Sequence, residues 1–119
     1  MSASQMILVA GPYRSGTDGD PARIAANVAA MTRASLVLWR RGHLPVMGEW
    51  FALPLIEQAV LEGDPPDPDE AIFHPIAEQL LERCDGCLRI GGASAGADRM
   101  VETARRLGKT IYTAIEDIP

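Results

Sequence analysis

Two segments of this chain run from a short apolar stretch straight into a glycine-rich turn, and that pattern narrows the possible folds most. Met6–Ala10 reads MILVA and stops at Gly11-Pro12. A continuous apolar run of this length is a strand buried on both faces. Residues 11–20 then hold three glycines, Ser15, Thr17 and two aspartates, which is loop chemistry. Asp20-Pro21 marks a helix start, with Asp as cap and Pro at the first helical position. Ile24, Val28, Met31, Ser35 and Leu38 follow at helical spacing, and Arg40, Arg41 and Gly42 end the helix. The pattern returns near the C-terminus. Residues 87–90 read as a strand, 91–96 (GGASAG) as a second glycine-rich loop, and a helix runs from there to about Leu107, ended by Gly108.

The intervening segments complete the alternation. Residues 44–47 form a short second strand. Residues 49–61 (EWFALPLIEQAVL) read as a short or broken helix, because Pro54 interrupts an apolar run. Residues 62–69 are a polar, proline-rich loop. Asp69 is placed to cap a helix from 70 to about 83, with Ile72, Ile76 and Leu80 inward, and residues 110–114 are the last strand. Strands alternating with helices imply right-handed crossovers and a parallel sheet. The expected fold is an α/β, Rossmann-like or flavodoxin-like three-layer sandwich with a four-stranded parallel sheet, in one domain covering residues 1–119. Ligands of such sheets sit outside the carboxyl ends of the strands.

Composition narrows the function classes. Of 119 residues, 47% are apolar and 23% charged, as in a globular domain. The formal net charge of −5 opposes binding of a nucleic acid polymer or an anionic membrane surface. No run approaches a membrane span, and the N-terminal MSASQMILVAG lacks a basic stretch and a long apolar core, so a cytoplasmic protein is expected. Cys84 and Cys87 spell C-x-x-C across a helix end and a strand start, the reverse of a thiol–disulfide site that opens a helix. They read as two reduced structural thiols. No His, Cys or acidic pair has metal-ligand spacing, no G-x-S-x-G elbow occurs, and no cofactor is expected. Trp39, Trp50 and Phe51 read as core or dimer-interface residues.

The two glycine-rich loops carry the candidate site. In the first, Gly11 and Gly16 allow close backbone approach, Tyr13 offers a face for a sugar or base, and Arg14 and Ser15 offer donors to a phosphate or carboxylate. It matches neither the G-x-G-x-x-G fingerprint nor a P-loop. The second loop ends at a helix N-terminus, where amides and dipole favour an anion. Ser94 adds a hydroxyl there, which also suits a helix cap, and Gly96 adds close approach.

The segment A-G-P-Y-R-S-G after the first strand, the strand after Cys84-Asp85, and the S-x-G-A loop opening the last helix resemble the nucleoside 2-deoxyribosyltransferase superfamily. The nearest flavour is its small relatives, the 2′-deoxynucleoside 5′-monophosphate N-hydrolases and deoxyribosyltransferase-like domains. The resemblance runs from about residue 6 to 114 and is weakest across 48–70. It implies a homodimer or higher oligomer and cleavage of an N-glycosidic bond, with a glutamate attacking the anomeric carbon and an aspartate assisting. At the position of that glutamate, four residues after Gly96, this chain has Met100. At the position of the aspartate it has Ala77, followed by Glu78. Two other carboxylates are placed to act. Asp98 lies in the first turn of the last helix, where it reads either as a carboxylate held ionised by the dipole at the pocket edge or as an ordinary N-terminal acid, and Glu49 follows the second strand beside Trp50, where it reads either as an acid whose pKa the indole raises or as a plainly solvated one.

The expectation is therefore a domain that binds a nucleoside or nucleoside 5′-monophosphate and hydrolyses or transfers at its N-glycosidic bond. Gly11, Tyr13, Arg14, Ser15, Gly16, Ser94, Gly96 and Met100 would line the site, with Asp98 or Glu49 as the catalytic group. The alternative is a nucleotide sensor without chemistry. A third possibility, a phosphoribohydrolase-like enzyme with a P-G-G-x-G-T-x-x-E loop, matches residues 90–97 only loosely.

Overall fold

A computed structural model describes residues 3–63 and 66–119. The elements in chain order are β1 (Met6–Ala10), α1 (Pro21–Arg40), β2 (Leu44–Val46), α2 (Gly48–Leu61), α3 (His74–Arg83), β3 (Gly86–Arg89), α4 (Ala95–Arg106) and β4 (Thr110–Tyr112). A π-helical turn at Asp69–Phe73 leads into α3, and a 3-10 turn at Ile115–Asp117 follows β4. The strands pair in the order β2-β1-β3-β4, all parallel. This is the expected α/β sandwich.

β1 explains the layering. Its MILVA run sends Leu8 and Ala10 to one face and Ile7 and Val9 to the other, all fully buried. Leu8 and Ala10 pack with Ala52 of α2, Leu81 of α3, and Met100 and Ala104 of α4. Ile7 and Val9 pack with Met31 and Leu38 of α1 and with Ile118. A strand with no polar face needs cover on both sides, so the apolar run itself dictates three layers. The strand order reverses between β1 and β3, because β1 connects outward to β2 while the chain returns to β3 on its other side. The loops after β1 and β3 therefore diverge and leave a crevice between them.

Three expectations change. Residues 49–61 do not break at Pro54: α2 is one helix of 14 residues. Pro54 forfeits one backbone bond, but α2 packs against α3 and the π turn, and that packing holds the helix. Asp69 does not cap a helix; it opens the π turn, where no side chain caps the start. Trp39, Trp50 and Phe51, expected in the core or at a dimer interface, are exposed, which removes the core alternative and leaves the interface one. The centre of the 62–69 loop, positions 64 and 65, lies outside the described residues. Cys84 and Cys87 are buried thiols, pushed up by burial to about 11 and about 12 respectively.

Candidate functional site

The loops after β1 and β3 touch. A methyl placed on Gly11 would lie 3.1 Å from the Ile90 carbonyl oxygen. One placed on Gly91 would lie 2.6 Å from Pro12 Cδ, and Gly91 also sits at φ +80°, a region side chains rarely occupy. Each loop leaves room for the other only because glycine stands at the point of approach.

Both loops are held from behind. Asn27 of α1 donates its side-chain amide to the carbonyls of Tyr13, at 2.9 Å, and Ser15, at 3.5 Å. Thr17, buried beneath the loop, donates its hydroxyl to the Arg14 carbonyl at 2.6 Å. In the second loop Arg89 reaches up from the end of β3. Its guanidinium donates to the carbonyls of Ile90 and Gly92, the latter at 2.8 Å, and to Asp98 Oδ1 at 3.1 Å. Ser94 caps α4, its Oγ accepting from the Ala97 amide at 3.2 Å. The Ser94 hydroxyl proton stays available to a ligand, because a cap uses only an oxygen lone pair.

A cavity of about 240 Å³ opens where these loops meet. Gly11, Tyr13, Arg14 and Ser15 line it from the first loop, and Ser94, Gly96, Ala97 and Met100 from the second loop and α4. Glu49 at the start of α2 and Asp69, Phe73 and His74 around the π turn complete it. The volume falls somewhat below the usual range of small-molecule sites, roughly 300–1,000 Å³. The Arg14 guanidinium lies over the Tyr13 ring, 5.6 Å from its centroid, so the two side chains hold one another as a cation–π pair.

Glu49 dominates the electrostatics. It is 2% exposed, and neither carboxylate oxygen has a hydrogen-bond partner. Burial raises its pKa from 4.5 to about 7, and its own backbone amide offsets only part of the rise. An unpaired buried carboxylate is expensive, so the site favours the neutral, protonated acid. Asp69 is exposed at the edge of the cavity. The π turn that carries it is tied to α4 by Arg99, which donates to Glu70 at 2.6 Å and holds that carboxyl below its usual range. Phe73 and His74 meet edge to face, with ring centroids 5.5 Å apart.

The candidate residues from the sequence thus divide. Gly11, Tyr13, Arg14, Ser15, Glu49, Ser94, Gly96 and Met100 come together at one cavity. Gly16 does not line it; at φ +73° it turns the first loop. Asp98 does not line it either. Its side chain is 71% exposed and paired with Arg89, because its place in the first turn of α4 aims it at the β3 end. Ala77 lies in the core below Gly48. Asp69, Phe73 and His74 escape a sequence reading, since a π turn has no residue signature to separate it from the helix it continues. The run Asp69–His74 does place an acid, an aromatic ring and an imidazole within six residues, and that clustering is the one signal present.

Fold and cavity together define a doubly wound α/β domain with a crevice at the point where its strand order reverses. Comparison with known proteins finds no matching protein-family model and no curated protein of significant similarity.

Proposed function

We propose that this chain binds a nucleoside or nucleoside 5′-monophosphate in the cavity and cleaves its N-glycosidic bond, with Glu49 as the acid. The observation that carries the reading is the convergence of anion donors and a desolvated carboxyl on one cavity. Arg14, the Ser15 and Ser94 hydroxyls and the amides of the first turn of α4 suit a phosphate or sugar hydroxyls. Tyr13 offers its ring to the sugar or base.

With a pKa of about 7, Glu49 is part protonated at neutral pH. That is the state required of a general acid. As the C1′–N bond breaks, its electrons pass to the base nitrogen and the Glu49 proton goes with them. A water oxygen then bonds to C1′ and releases a proton, which restores Glu49. A second sugar acceptor in place of water gives transfer. Asp98, paired with Arg89 outside the cavity, takes no part in this chemistry.

Met100 supports a second reading. It is 4% exposed and contributes a thioether to the wall, where the resemblance calls for a carboxylate nucleophile. A cavity with that substitution suits a sensor that binds without cleaving. One experiment separates the two: incubate the protein with a panel of nucleosides and their monophosphates, and follow both free base and melting temperature. Base release that disappears in Glu49→Gln supports the enzyme. A raised melting temperature without base release supports the sensor. Neither response with any compound refutes both.

A further inference from the structure

Glu49 stands in the first turn of α2, where free amides and the helix dipole ordinarily favour an ionised carboxyl. Here desolvation wins. Both carboxylate oxygens are buried and unpartnered, and burial is the larger of the two influences on its pKa. The charged and titratable side chains that share its cavity are Tyr13 and Arg14 from the first loop and Asp69 and His74 from the π turn. α4 and the loop before it contribute none. None of the four bonds to the Glu49 carboxyl. Whatever keeps water out therefore decides where the Glu49 proton sits.

Two large apolar side chains are buried in the cavity wall, Phe73 and Met100. Phe73 reaches the backbone beside Glu49. A methyl placed on Gly48, the residue before Glu49, would lie 3.4 Å from Phe73 Cζ and 3.7 Å from Cε2, so the far edge of the ring rests on the start of α2. The inward aim of this ring follows from spacing: Phe73, Ala77, Leu80 and Leu81 fall on one stripe, which α3 buries. The π turn then holds it. The His74 amide donates back five residues to the Asp69 carbonyl, the wide bond of a π turn, and the His74 ring braces Phe73 edge to face. Arg99 ties the same turn to α4 through Glu70.

We propose that Phe73 is the positioning residue for Glu49: its ring, carried by the π turn and seated on Gly48, keeps water from the carboxyl and so keeps the acid protonated. The inference rests on Glu49 as the acid proposed above. The acid is then a product of two elements, with α2 supplying the carboxyl and the π turn supplying its cover. Phe73 acts through Glu49 and takes no part in proton transfer itself.

The test reads the carboxyl directly, with no ligand. Carboxyl carbon shifts of the labelled full chain are followed against pH, and the Glu49 signal is identified by its loss in Glu49→Gln. Its midpoint is expected near 7 in wild type. Phe73→Ala is expected to move it toward 4.5 by at least about one pH unit, and Phe73→Leu, which keeps an apolar cover, to retain most of the elevation. Glu70, on the same turn and held low by Arg99, is the control and is expected to stay low in both variants. If Phe73→Ala does not fold, Phe73→Val withdraws the far edge of the ring alone and is expected to give part of the fall. An unchanged Glu49 midpoint in the variant that folds overturns the inference and leaves the cleavage reading standing. So does a fall matched by a rise at Glu70, since the turn and not the ring is then lost, and so does a Phe73→Leu midpoint as low as that of Phe73→Ala. In the base-release assay the alkaline limb of the pH profile is expected to move down with the Glu49 midpoint. No base release from any compound refutes the cleavage reading, while the titration still decides whether Phe73 covers Glu49.

Discussion

Replacing Glu49 with glutamine separates the charge of this side chain from its shape. In an unfolded chain the carboxyl ionises near 4.5, and in the fold near 7. Between those values the native state binds the proton more tightly than the unfolded one. The protonated acid therefore supports the fold fully below pH 4.5, and that support is lost as pH rises through 7. At about 1.4 kcal/mol for each tenfold change in proton affinity, the loss is about 3 kcal/mol by pH 8.5. With the side chain 2% exposed, solvent screening does little to reduce it. Glutamine stays neutral throughout. Its unpaired amide carries a cost of its own, about 1–3 kcal/mol, but that cost does not vary with pH. The melting temperature of Glu49→Gln relative to wild type should thus rise between pH 5 and pH 8.5, by on the order of 10 °C for a domain of this size. Other titrating groups cancel in the difference. Thermal melts of both proteins at the two pH values check it. A difference that stays constant within about 2 °C would show that the carboxyl is not desolvated, and the assignment of Glu49 as the acid would go with it.

Other substitutions probe the rest of the site. Arg14→Ala should weaken binding of nucleoside monophosphates by about 10- to 100-fold, the worth of one charge-assisted contact, and change nucleoside binding far less; titration calorimetry with matched pairs reads this, and equal losses would remove the phosphate role. Gly91→Ala must either flatten the φ of +80° or push Pro12 away, and should cost about 1–3 kcal/mol in a denaturant melt. Gly92→Ala, with open space around its Cα, is the control and should cost far less. Arg89→Ala removes the braces on Ile90 and Gly92 and should lower ligand affinity more than Asp98→Ala, which leaves those two bonds intact; the reverse order would return Asp98 to the chemistry. Cys84 and Cys87, held near 11 and 12 by burial, should stay unreactive to a thiol reagent at pH 7.5 until the protein is unfolded, as counted by absorbance.

The layered architecture was legible because it rests on local signals. MILVA needs cover on both faces, Asp20 accepts from the Ala22 amide as a cap at the predicted place, and the loops at Gly11 and Gly91 announce turns by composition. Strand ends shifted by a residue or two: the sequence reading of 87–90 became Gly86–Arg89, and 110–114 became Thr110–Tyr112. The middle of the chain was less legible. Pro54 is a helix breaker by its own chemistry, and only packing against α3 and the π turn overrides it. Trp39 and Trp50 read in sequence as core or dimer-interface residues, and only the fold, whose sheet is already covered where they stand, puts them on the surface.

What residue order alone determined is the alternation of buried strands, capped helices and glycine turns, because those preferences act over a few neighbouring residues. Which carboxylate is desolvated on the cavity wall was decided only by tertiary structure. Asp98 and Glu49 look alike in sequence, each in the first turn of a helix beyond a strand. The difference lies in what stands nearby in space: Asp98 finds Arg89 and solvent, whereas Glu49, at the start of α2 on the cavity wall, is buried with no partner for its carboxylate. Desolvation depends on atoms brought close from distant parts of the chain, so no local pattern can report it.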